Sequence, residues 1–438
     1  MYKPFEHQNK AVQWGYGRNT FPCFMEMRTG KSLVAIWWTK QWGDGQKILV
    51  APLSTWYDWS KLFRNLHIKA LFLSGTTKEK RKRLIYHCES AEWIVINPEG
   101  LTAWGREFFA LTTGFQTCIL DESVFIKNPR AKITKLLLKY RDYFKHRMVM
   151  TGTPIAETTE DIVSQMIWCN SHFMDCENFY VWRARYMYVA KFGWRLKRGV
   201  AVQLRDAIKR DAYVLSAKDA GMFTEQVKRV HLAYMKKDTA KDYETIKRDW
   251  QLGTCSTKYG VVKDIMLAQL ASGIYPKDST GRIGFDPFKV DAVRHLLQDG
   301  ELQNQSVIIF SRWLKEIYAL GTALRCPIMT GSVPISEREK LLRKFRAGEF
   351  PWMVVQSKVA CRGLDLSCCD TAIIASNYWQ YEIRSQIVAR LRHPTKQIPT
   401  LIIDVIAKDT IEEKVYEVLH EKHNNARFFL QRLKAKVK

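Results

Sequence analysis

The sequence predicts an α/β protein in which two parallel sheets follow one another, with a mainly helical segment between them. Short apolar runs of strand length alternate with helical stretches in residues 1–157 and again in residues 286–408. In residues 158–285 helical patterning replaces this alternation. Such alternation is typical of parallel sheets that helices cover on both faces. A chain of 438 residues is long enough for several domains, and residues 409–438 are predicted as a C-terminal helix.

The first sheet is predicted from apolar runs that end in polar residues. The carboxyl ends of parallel strands meet at one edge of a sheet, where binding sites lie. Residues that follow these runs are therefore expected to come together in space. The runs cover residues 23–27, 47–52, 71–73, 93–96, 118–120 and 148–150.

The first run leads into Thr29-Gly30-Lys31-Ser32 and then into the apolar beginning of a helix. Such a turn leaves backbone N–H groups free for phosphate oxygens, and the helix dipole favours the same negative charge. In that geometry Lys31 neutralises the β- and γ-phosphates and the Ser32 hydroxyl binds Mg²⁺. A strict phosphate loop has a glycine five residues before Gly30, where this chain has Met25. The four residues alone fit a solvated turn equally well.

Two other predicted strands also end in polar residues. Asp121 and Glu122 follow the run 118–120, and a Thr-Gly-Thr-Pro segment, residues 151–154, follows the run 148–150. An Asp beside a phosphate loop can hold Mg²⁺, and the adjacent Glu can polarise an attacking water. Acidic caps of the next helix would explain the pair alone. They would not explain why three strand ends of one sheet carry phosphate, metal or hydroxyl chemistry.

Phe5 and Gln8 stand just ahead of the first strand. A Gln side chain pairs a donor with an acceptor and can read the edge of adenine, with an aromatic ring nearby for stacking. Taken alone, the two residues also fit an ordinary helix beginning. Gln8 is therefore a candidate adenine contact.

The formal net charge of +25 predicts an acidic partner, with nucleic acid as the leading candidate. General solubility would also explain a basic chain, and charge does not distinguish DNA from RNA. The sequence contains no uninterrupted apolar span of bilayer length, so no membrane partner is expected. Protein partners and the oligomeric state stay open.

The ten cysteines include no Cys-x-x-Cys pair and no cysteine near a histidine at zinc-site spacing. This usage favours a reduced protein without structural zinc. The first residues lack the apolar core of a signal peptide. The expected compartment is the cytoplasm of a bacterial or phage-infected cell, or the nucleus in a eukaryote.

In the middle segment, aromatic and basic residues interleave at residues 179–186 and 192–198. Such a mixture can lie along a sugar-phosphate backbone. It can equally bury its rings in a core while the cations reach solvent, and both alternatives stay open. Turn residues make 273–281 the clearest linker candidate.

The second sheet is predicted from another set of apolar runs, which carries no phosphate loop of its own. Its expected task is to complete the site of the first sheet. Arg390 is the natural candidate for a guanidinium that stabilises transition-state charge, a role worth about 10³-fold or more in rate. The runs cover residues 307–310, 353–355, 372–375 and 401–405.

Taken in order, the motifs resemble those of superfamily 2 helicases, most closely the SWI/SNF-like double-stranded DNA translocases of compact phage or bacterial type. The similarity spans nearly the whole chain and is weakest from about residue 175 to residue 285. The matching segments are residues 29–32, Asp121-Glu122-Ser123 with 126–128, 151–155, Phe310-Ser311-Arg312, Thr330-Gly331-Ser332, Ser357 with 362–366, Gln386 with Arg390, and 409–414.

The resemblance implies two RecA-like lobes that close on ATP and Mg²⁺ and track the phosphates of DNA. It implies an ATP hydrolase that remodels forked or branched DNA in replication, recombination or repair. An RNA helicase and a non-catalytic DNA-binding protein with a retained helicase fold are the alternatives. The implied catalytic residues are Lys31, Glu122 and Arg390; the nucleotide-binding residues are Gln8, Thr29, Gly30, Lys31, Ser32, Gly363, Asp365 and Arg390; the metal ligands are Ser32 and Asp121; and the coupling or DNA-contacting residues are Thr151, Thr153, Ser311, Arg312, Thr330, Ser357 and Gln386.

Three positions depart from the family pattern. Arg28 stands where the phosphate loop usually has a glycine, and Ser123-Val124 replaces the usual residues after the acidic pair. The order Arg392-His393 reverses the expected pair. The second arginine finger is therefore unassigned between those two positions.

Overall fold

The computed structural model describes residues 3–43, 45–155, 158–191, 193–221, 225–252, 255–257, 259–277, 283–303, 305–361, 364–392 and 398–434. The chain divides into two compact units. The first consists of residues 1–222 with residues 424–438, and the second of residues 223–423. Among the helices of the described ranges, none combines the length and the apolar character needed to cross a membrane.

The first unit contains a parallel sheet and a separate two-stranded hairpin. Its strands are β1 (Thr20–Met25), β2 (Lys47–Val50), β3 (Ala70–Phe72), β4 (Trp93–Ile96), β5 (Thr117–Asp121), β6 (His146–Met150), β7 (Met187–Ala190), β8 (Gly193–Leu196) and β9 (Tyr213–Leu215). The sheet has the order β3-β4-β2-β5-β6-β1-β9, and every neighbouring pair is parallel. The antiparallel hairpin is formed by β7 and β8.

Helices cover both faces of this sheet because its central strands are apolar on both sides. In β5, Ile119 packs into one core cluster, while Cys118 and Leu120 pack into the other. Alternate residues of a strand point to opposite faces, so a strand without polar residues must be covered twice. The helices are α1 (Glu6–Gly15), α2 (Lys31–Lys40), α3 (Trp56–Asn65), α4 (Thr77–His87), α5 (Pro98–Leu111), α6 (Lys132–Lys139), α7 (Asp161–Cys169), α8 (Phe179–Tyr186) and α9 (Val200–Asp211).

The second unit contains another parallel sheet and two short hairpins. Its strands are β10 (Gln226–Ala233), β11 (Gln251–Leu252), β12 (Cys255–Ser256), β13 (Ile274–Lys277), β14 (Ile283–Phe285), β15 (Val307–Ser311), β16 (Ile328–Met329), β17 (Trp352–Gln356), β18 (Thr371–Ile374) and β19 (Thr400–Ala407). The sheet has the order β10-β19-β18-β15-β17-β16, again with parallel neighbours.

This sheet also separates two core clusters, with Ile309 in one and Ile308 and Phe310 in the other. Helices therefore pack on both of its faces as well. They are α10 (Lys237–Asp249), α11 (Gly260–Leu270), α12 (Phe288–Gln298), α13 (Leu314–Leu324), α14 (Ile335–Arg346), α15 (Ser357–Ala360), α16 (Tyr381–Arg390) and the first half of α17 (Ile411–Lys434), whose residues from 424 onward belong to the first unit.

The predicted fold class, two parallel α/β sheets in tandem, is confirmed, and each predicted apolar run forms a strand. The middle segment contains strands as well as the predicted helices, because β7 to β14 all lie in it. The predicted linker 273–281 is in part strand β13, and its residues 278–281 lie outside the described residues. The segment contributes β9 to the first sheet and β10 to the second. Both are edge strands: β9 has three residues, and in β10 the residues Lys228, Arg229 and His231 interrupt the apolar ones, so neither carries the continuous apolar pattern of a central strand. The domain boundaries 1–157, 158–285, 286–408 and 409–438 stay predictions.

Candidate functional site

The loop between β1 and α2 has an unusual backbone, with two residues in left-handed conformations and with Gln8 packed against Gly30. Gly30 precedes the first turn of α2 with φ 82° and ψ 34°, a left-handed conformation that glycine adopts without strain. A Cβ atom at Gly30 would also collide with the amide of Gln8. Arg28 has φ 70°, so the family's usual glycine corresponds here to an arginine in a left-handed conformation.

Two side chains of α1 contact the backbone of this loop. The buried Gln8 donates from Nε2 to the backbone oxygen of Thr29 (3.2 Å), and its Oε1 accepts from the backbone N–H of Phe5 (3.0 Å). Nε2 of His7 lies 2.9 Å from the same Thr29 oxygen. A Gln amide has two N–H groups and two lone pairs. Beyond these bonds, Gln8 can still offer one donor and one acceptor.

Lys31 lies at the first position of α2 and is buried. Its Nζ donates to the backbone oxygen of Glu26 (3.4 Å), which also accepts the Thr29 hydroxyl (2.7 Å). Ser32 follows in the same turn and is half-buried. The ammonium group is therefore held beside the loop backbone at the positive end of the helix dipole.

Asp121 ends β5 as a buried carboxylate with specific donors. Its Oδ2 accepts from the indole Nε1 of Trp59 (2.7 Å), and its Oδ1 accepts from the backbone N–H of Glu122 (2.9 Å). Burial and then the neighbouring Glu122 charge raise the pKa of Asp121 to about 6, against the lowering effects of the Trp59 bond and of the Lys31 charge. Lys31 is thus close enough to Asp121 to act on it electrostatically.

Glu122 and the threonine turn after β6 contact each other directly. Thr151 donates its hydroxyl to Oε2 of Glu122 (3.0 Å), and the same hydroxyl accepts the backbone N–H of Thr153 (3.1 Å). Glu122 itself has a left-handed backbone, with φ 47° and ψ 53°. A Cβ atom at Gly152 would lie 2.8 Å from Cγ of Met27. The turn therefore packs against the loop, and the ends of β1, β5 and β6 meet as predicted.

Two side chains in this arrangement were not identified from the sequence. Trp59, assigned only to an apolar helix face, holds Asp121 from 62 positions away. Gln165 accepts the hydroxyl of Ser123 (2.7 Å) and donates to the backbone oxygen of Pro154 (2.9 Å). The unusual Ser123 thus joins the acidic strand end to the threonine turn through Gln165. Neither residue belongs to a short motif, so no local signal pointed to them.

The donors at this edge fit a Mg²⁺ ion. Each carboxylate oxygen of Asp121 accepts one hydrogen bond, which leaves further lone pairs, and the Ser32 hydroxyl supplies a second hard oxygen. Mg²⁺ prefers oxygen ligands and usually needs only one or two from the protein, because phosphates and waters complete its shell. Ser32 and Asp121 are therefore chemically suited to hold it.

In the second unit, a buried carboxylate organises the end of β15. Glu316 accepts the hydroxyls of Ser311 and Ser376 on one oxygen, at 2.6 Å each. Ser376 in turn accepts the backbone N–H of Arg312 (2.8 Å). Ser357 donates its hydroxyl to the backbone oxygen of Ser311 (3.1 Å). Ser311 and Ser357 are thus brought together, with Glu316 as a partner that sequence reasoning missed.

Arg312 directs its guanidinium over aromatic rings. Its carbon Cζ lies 4.2 Å from the ring centroid of Trp313 and 5.0 Å from that of Tyr378. Burial lowers the pKa of Arg312, while the nearby Tyr378 and Glu412 oppose this shift. Arginine stays charged under these conditions, so the side chain remains a half-buried cation.

Thr330 lies directly after β16 and is buried. Its hydroxyl is 2.8 Å from that of Ser332, and the backbone N–H of Gly331 donates to Oε1 of Gln356 (3.0 Å). Gln356 is the last residue of β17. The predicted Thr-Gly-Ser segment is therefore tied to the carboxyl end of the neighbouring strand.

Arg390 ends α16, and its Nη2 donates to the backbone oxygen of Cys361 (2.9 Å). Its own backbone oxygen accepts the N–H of Leu366 (3.2 Å), which places Arg390 beside the segment that contains Asp365. Asp365 is half-exposed and lies near Arg346. Gln386, one turn before Arg390, donates to Glu382 (3.4 Å).

A buried ion pair fixes α16 on the sheet. Nη2 of Arg384 donates to Oδ2 of Asp404 at 2.6 Å, and both side chains are buried. Arg392 is buried too, and its Nε and Nη2 each lie 3.0 Å from the side-chain oxygen of Gln226 in the amide orientation that satisfies both groups. Arg392 is thus engaged within its own unit. Arg362, Gly363 and His393, which the sequence singled out, lie outside the described residues.

The segment that resembles the family's last motif has a structural anchor. Glu412 accepts Nζ of the buried Lys289 on both oxygens, at 2.8 Å and 2.7 Å, and also accepts the backbone N–H of Ala407 (2.9 Å). Burial raises the pKa of Glu412, and the Lys289 charge opposes the rise. The first turn of α17 is therefore pinned to α12 and to the end of β19.

Two protein-family models match the sequence. Residues 7–272 match the SNF2-related domain, and residues 288–393 match the helicase conserved C-terminal domain. Protein YwqA of Bacillus subtilis, whose name describes an ATP-dependent helicase/translocase, is 20% identical over 402 residues. The match covers 86% of this chain and 42% of YwqA. The chain also spans less than half the length of two further curated relatives.

Protein p41 of the Acyrthosiphon pisum secondary endosymbiont phage 1 is 24% identical over 426 residues, which cover 89% of this chain and 88% of p41. Among solved structures, the Hef helicase domain of Pyrococcus furiosus has the same fold, with a TM-score of 0.55 at 14% identity. That likeness covers 94% of this chain and 98% of the Hef domain. Because the SNF2-related match alone spans more than half of the sequence, the chain belongs to the SNF2-related family.

Proposed function

We propose that the chain hydrolyses ATP to move along double-stranded or branched DNA, and that this movement remodels forks or branches in replication, recombination or repair. The observation that carries the proposal is the meeting of three strand ends in the first unit. Lys31 acts on the charge of Asp121, and Thr151 donates to Glu122. A phosphate-binding loop, a metal-binding carboxylate and a candidate base are the parts that phosphoryl transfer needs.

In the first unit, the Lys31 ammonium and the N–H groups of α2 are proposed to bind the β- and γ-phosphates. A Mg²⁺ ion held by Ser32 and Asp121 would neutralise phosphate charge. Glu122 is proposed to orient and deprotonate the attacking water, with Thr151 fixing its carboxylate. The remaining donor and acceptor of Gln8 suit the edge of adenine. Thr29 and Gly30 shape the loop backbone.

In the second unit, Arg390 is proposed to supply the guanidinium that stabilises charge in the transition state. Asp365 lies beside it in the structure and is proposed as a further nucleotide contact, together with Gly363. The buried hydroxyls and the half-buried Arg312 are proposed to couple hydrolysis to DNA. The coupling residues are Thr151, Thr153, Ser311, Arg312, Thr330, Ser357 and Gln386.

DNA as the track is supported by the net charge of +25 and by the resemblance to duplex translocases. A basic protein releases counterions when it binds phosphates, so its affinity should fall steeply with salt. The same charge is compatible with RNA, which makes an RNA helicase the second candidate. A non-catalytic DNA-binding protein is a weaker candidate, because Lys31, Asp121, Glu122 and Arg390 are all present.

The decisive experiment measures ATP turnover with and without duplex DNA, in the wild type and in Lys31→Ala. We expect duplex stimulation in the wild type and loss of turnover in Lys31→Ala, because the ammonium that neutralises the phosphates is gone. Lys40→Ala, in the exposed last turn of the same helix, is the matched control and should behave as the wild type. Absence of stimulation, or unchanged turnover in Lys31→Ala, would contradict the proposal.

The track is identified by comparing stimulation by duplex, single-stranded and forked DNA and by RNA of equal length. A fork or branch that stimulates more than a linear duplex would support remodelling. Stronger stimulation by RNA would favour the RNA helicase. Salt-sensitive DNA binding without turnover under any of these conditions would favour the non-catalytic protein.

A further inference from the structure

The hairpin of β7 and β8 exposes aromatic and apolar side chains in the first unit. Tyr188 is 51% exposed, Val189 71% and Trp194 38%. In the hairpin register, Tyr188 pairs with Arg195, and Val189 pairs with Trp194. Cross-strand partners share a face and adjacent residues do not. Tyr188 with Arg195 therefore lies on one face, and Val189 with Trp194 on the other.

The base of the hairpin is fixed in the core of the unit. Met187 at the beginning of β7 is buried, and Leu196 at the end of β8 packs against the same core cluster. The backbone N–H of Lys197 donates to the oxygen of Tyr186 (2.9 Å). Trp182 in the preceding helix is fully buried. The base of the hairpin is thus packed in the core, whereas its outer residues are exposed to solvent.

This geometry divides the aromatic and basic segment that the sequence left ambiguous. Phe179 and Trp182 are core residues, whereas Tyr188 and Trp194 are surface residues. Arg183 links the two groups, since its Cζ lies 4.5 Å from the ring centroid of Trp194 and 5.8 Å from that of Phe179. The guanidinium stacks on the indole and holds it in one orientation.

The segment that forms the hairpin and its flanks is strongly basic in sequence, although Glu160 lies close enough to Arg183 to interact with it. No Asp or Glu occurs between residues 178 and 205. The cations on and next to the hairpin are exposed, including Lys191, Arg195 and Lys197. Such a field attracts an anionic polymer. We define the hairpin surface as Tyr188, Val189, Trp194, Arg195 and Lys197.

We propose that the hairpin surface binds single-stranded nucleic acid, with unpaired bases stacked on Tyr188 and Trp194 and with the cations on the phosphates. Aromatic rings set in a basic surface are the combination that binds single strands, because every base has a face that can stack. Paired bases in a duplex do not offer that face. A membrane surface fits less well, since a flat bilayer meets one face at a time and one of the two faces pairs its ring with the cation Arg195. A flexible single strand can pass around the edge of the hairpin and reach the rings on both faces. The site needs no ATP, so the inference goes beyond the proposed motor function.

The test measures binding of a fluorescent oligothymidine of about 20 nucleotides, longer than the usual site size, by anisotropy without nucleotide and at fixed salt. We expect Tyr188→Ala and Trp194→Ala each to weaken binding by about tenfold, the effect of losing one stacked base. Binding to a duplex of equal length should fall less. Tyr143→Ala, an exposed tyrosine elsewhere in the first unit (55%), is the matched control and should bind as the wild type.

An abasic strand of the same length separates stacking from charge, because it keeps the phosphates and lacks the bases. The wild type should bind it more weakly than oligothymidine, and the two variants should show a smaller difference between the strands. Matching oligouridine identifies whether the surface prefers DNA or RNA. Trp194→Ala also removes the Arg183 stacking; if that variant unfolds, Tyr188→Ala, on the other face, carries the test.

Unchanged oligothymidine binding in a folded Tyr188→Ala variant would overturn the proposal. Equal affinity of the wild type for abasic and normal strands would overturn it as well, as would binding to anionic phosphatidylserine vesicles without binding to oligothymidine. Failure here is distinguishable from failure of the motor function, because duplex-stimulated ATP turnover is a separate measurement. Hairpin variants that lose oligothymidine binding and keep this turnover support the proposal.

Discussion

The two sheets share one plan but use their strand ends differently. In the first unit the strand-end residues interact with each other: Lys31 acts on Asp121, and Thr151 donates to Glu122. In the second unit they are held by buried charges, of which Glu316 is one. Parallel topology thus brings strand ends together, whereas the side chains decide whether those ends interact with each other or are held by buried partners.

The second unit contains two buried ion pairs. Arg384 with Asp404 and Lys289 with Glu412 each fix one helix beside the sheet. A buried pair of this kind adds little net stability, but removing one partner is costly because the other charge stays buried. Four substitutions test whether chemistry and support are divided between the units in this way.

The largest effect on turnover is expected from Arg390→Ala. If Arg390 stabilises transition-state charge, its loss should reduce ATP turnover by about 10³–10⁵-fold, with the unfolding temperature near that of the wild type. This result would show that the supporting unit also supplies one chemical group. The matched variant Arg343→Ala, at an exposed position of α14, should hydrolyse ATP as the wild type does. Equal turnover in Arg390→Ala and the wild type would remove Arg390 from the mechanism.

Glu122→Gln should separate binding from hydrolysis in the first unit. The amide oxygen can still accept the Thr151 hydroxyl but cannot take a proton from water. We expect turnover to fall by about 10²–10⁴-fold, while a fluorescent ATP analogue binds as it does to the wild type. Glu107→Gln, at an exposed ion pair, is the control. Turnover close to that of the wild type would exclude Glu122 as the base.

Arg384→Ala should reveal the supporting role of the second unit. Removing the guanidinium leaves Asp404 buried without its cation, which costs about 3–5 kcal/mol in the free energy of unfolding. Chemical denaturation followed by circular dichroism measures this change. Arg294→Ala, at an exposed ion pair with Asp291, should change stability by less than about 1 kcal/mol. Similar changes in the free energy of unfolding for the two substitutions would contradict the prediction that the buried ion pair matters more than the exposed one.

Trp59→Phe should give the smallest effect on turnover, through the metal. It keeps an aromatic side chain but removes the pyrrole part of the buried indole with the N–H that donates to Asp121, so the carboxylate loses orientation. We expect the Mg²⁺ concentration for half-maximal turnover to rise about tenfold. Trp56→Phe, which loses a hydrogen bond to the backbone oxygen of Ala51 in the same helix, should leave it unchanged. The same shift in both variants would mean that Trp59 acts only through packing.

The strands and the polar strand ends could be predicted from the sequence for a common physical reason. A strand buried on both faces must be apolar throughout, so the first polar residue after it marks an edge. Asp121 and Thr151 were located in this way, and the two meet through Glu122. Arg28 and Gly30 were identified as the residues of an unusual loop, and both have left-handed backbones.

The supporting partners could not be predicted because their signal is entirely tertiary. Trp59 fits an apolar helix face, and nothing near it in the chain reveals that its N–H meets Asp121. In the sequence Glu316 looks like an ordinary helical glutamate, because its partner Ser376 lies 60 positions away. The edge strand β10 was missed because Lys228, Arg229 and His231 interrupt its apolar residues.

Arg28 has a further consequence for how this loop tolerates sequence change. A non-glycine residue in the left-handed conformation costs roughly 1–2 kcal/mol. A glycine would remove that strain, but it would give the unfolded chain more freedom, at a cost of roughly 0.5–1 kcal/mol. The two backbone effects oppose each other and the strain is the larger, so on backbone grounds alone glycine is favoured by up to roughly 1 kcal/mol. The two residues also differ in charge: an arginine adds a permanent cation to the loop that is proposed to bind the phosphates.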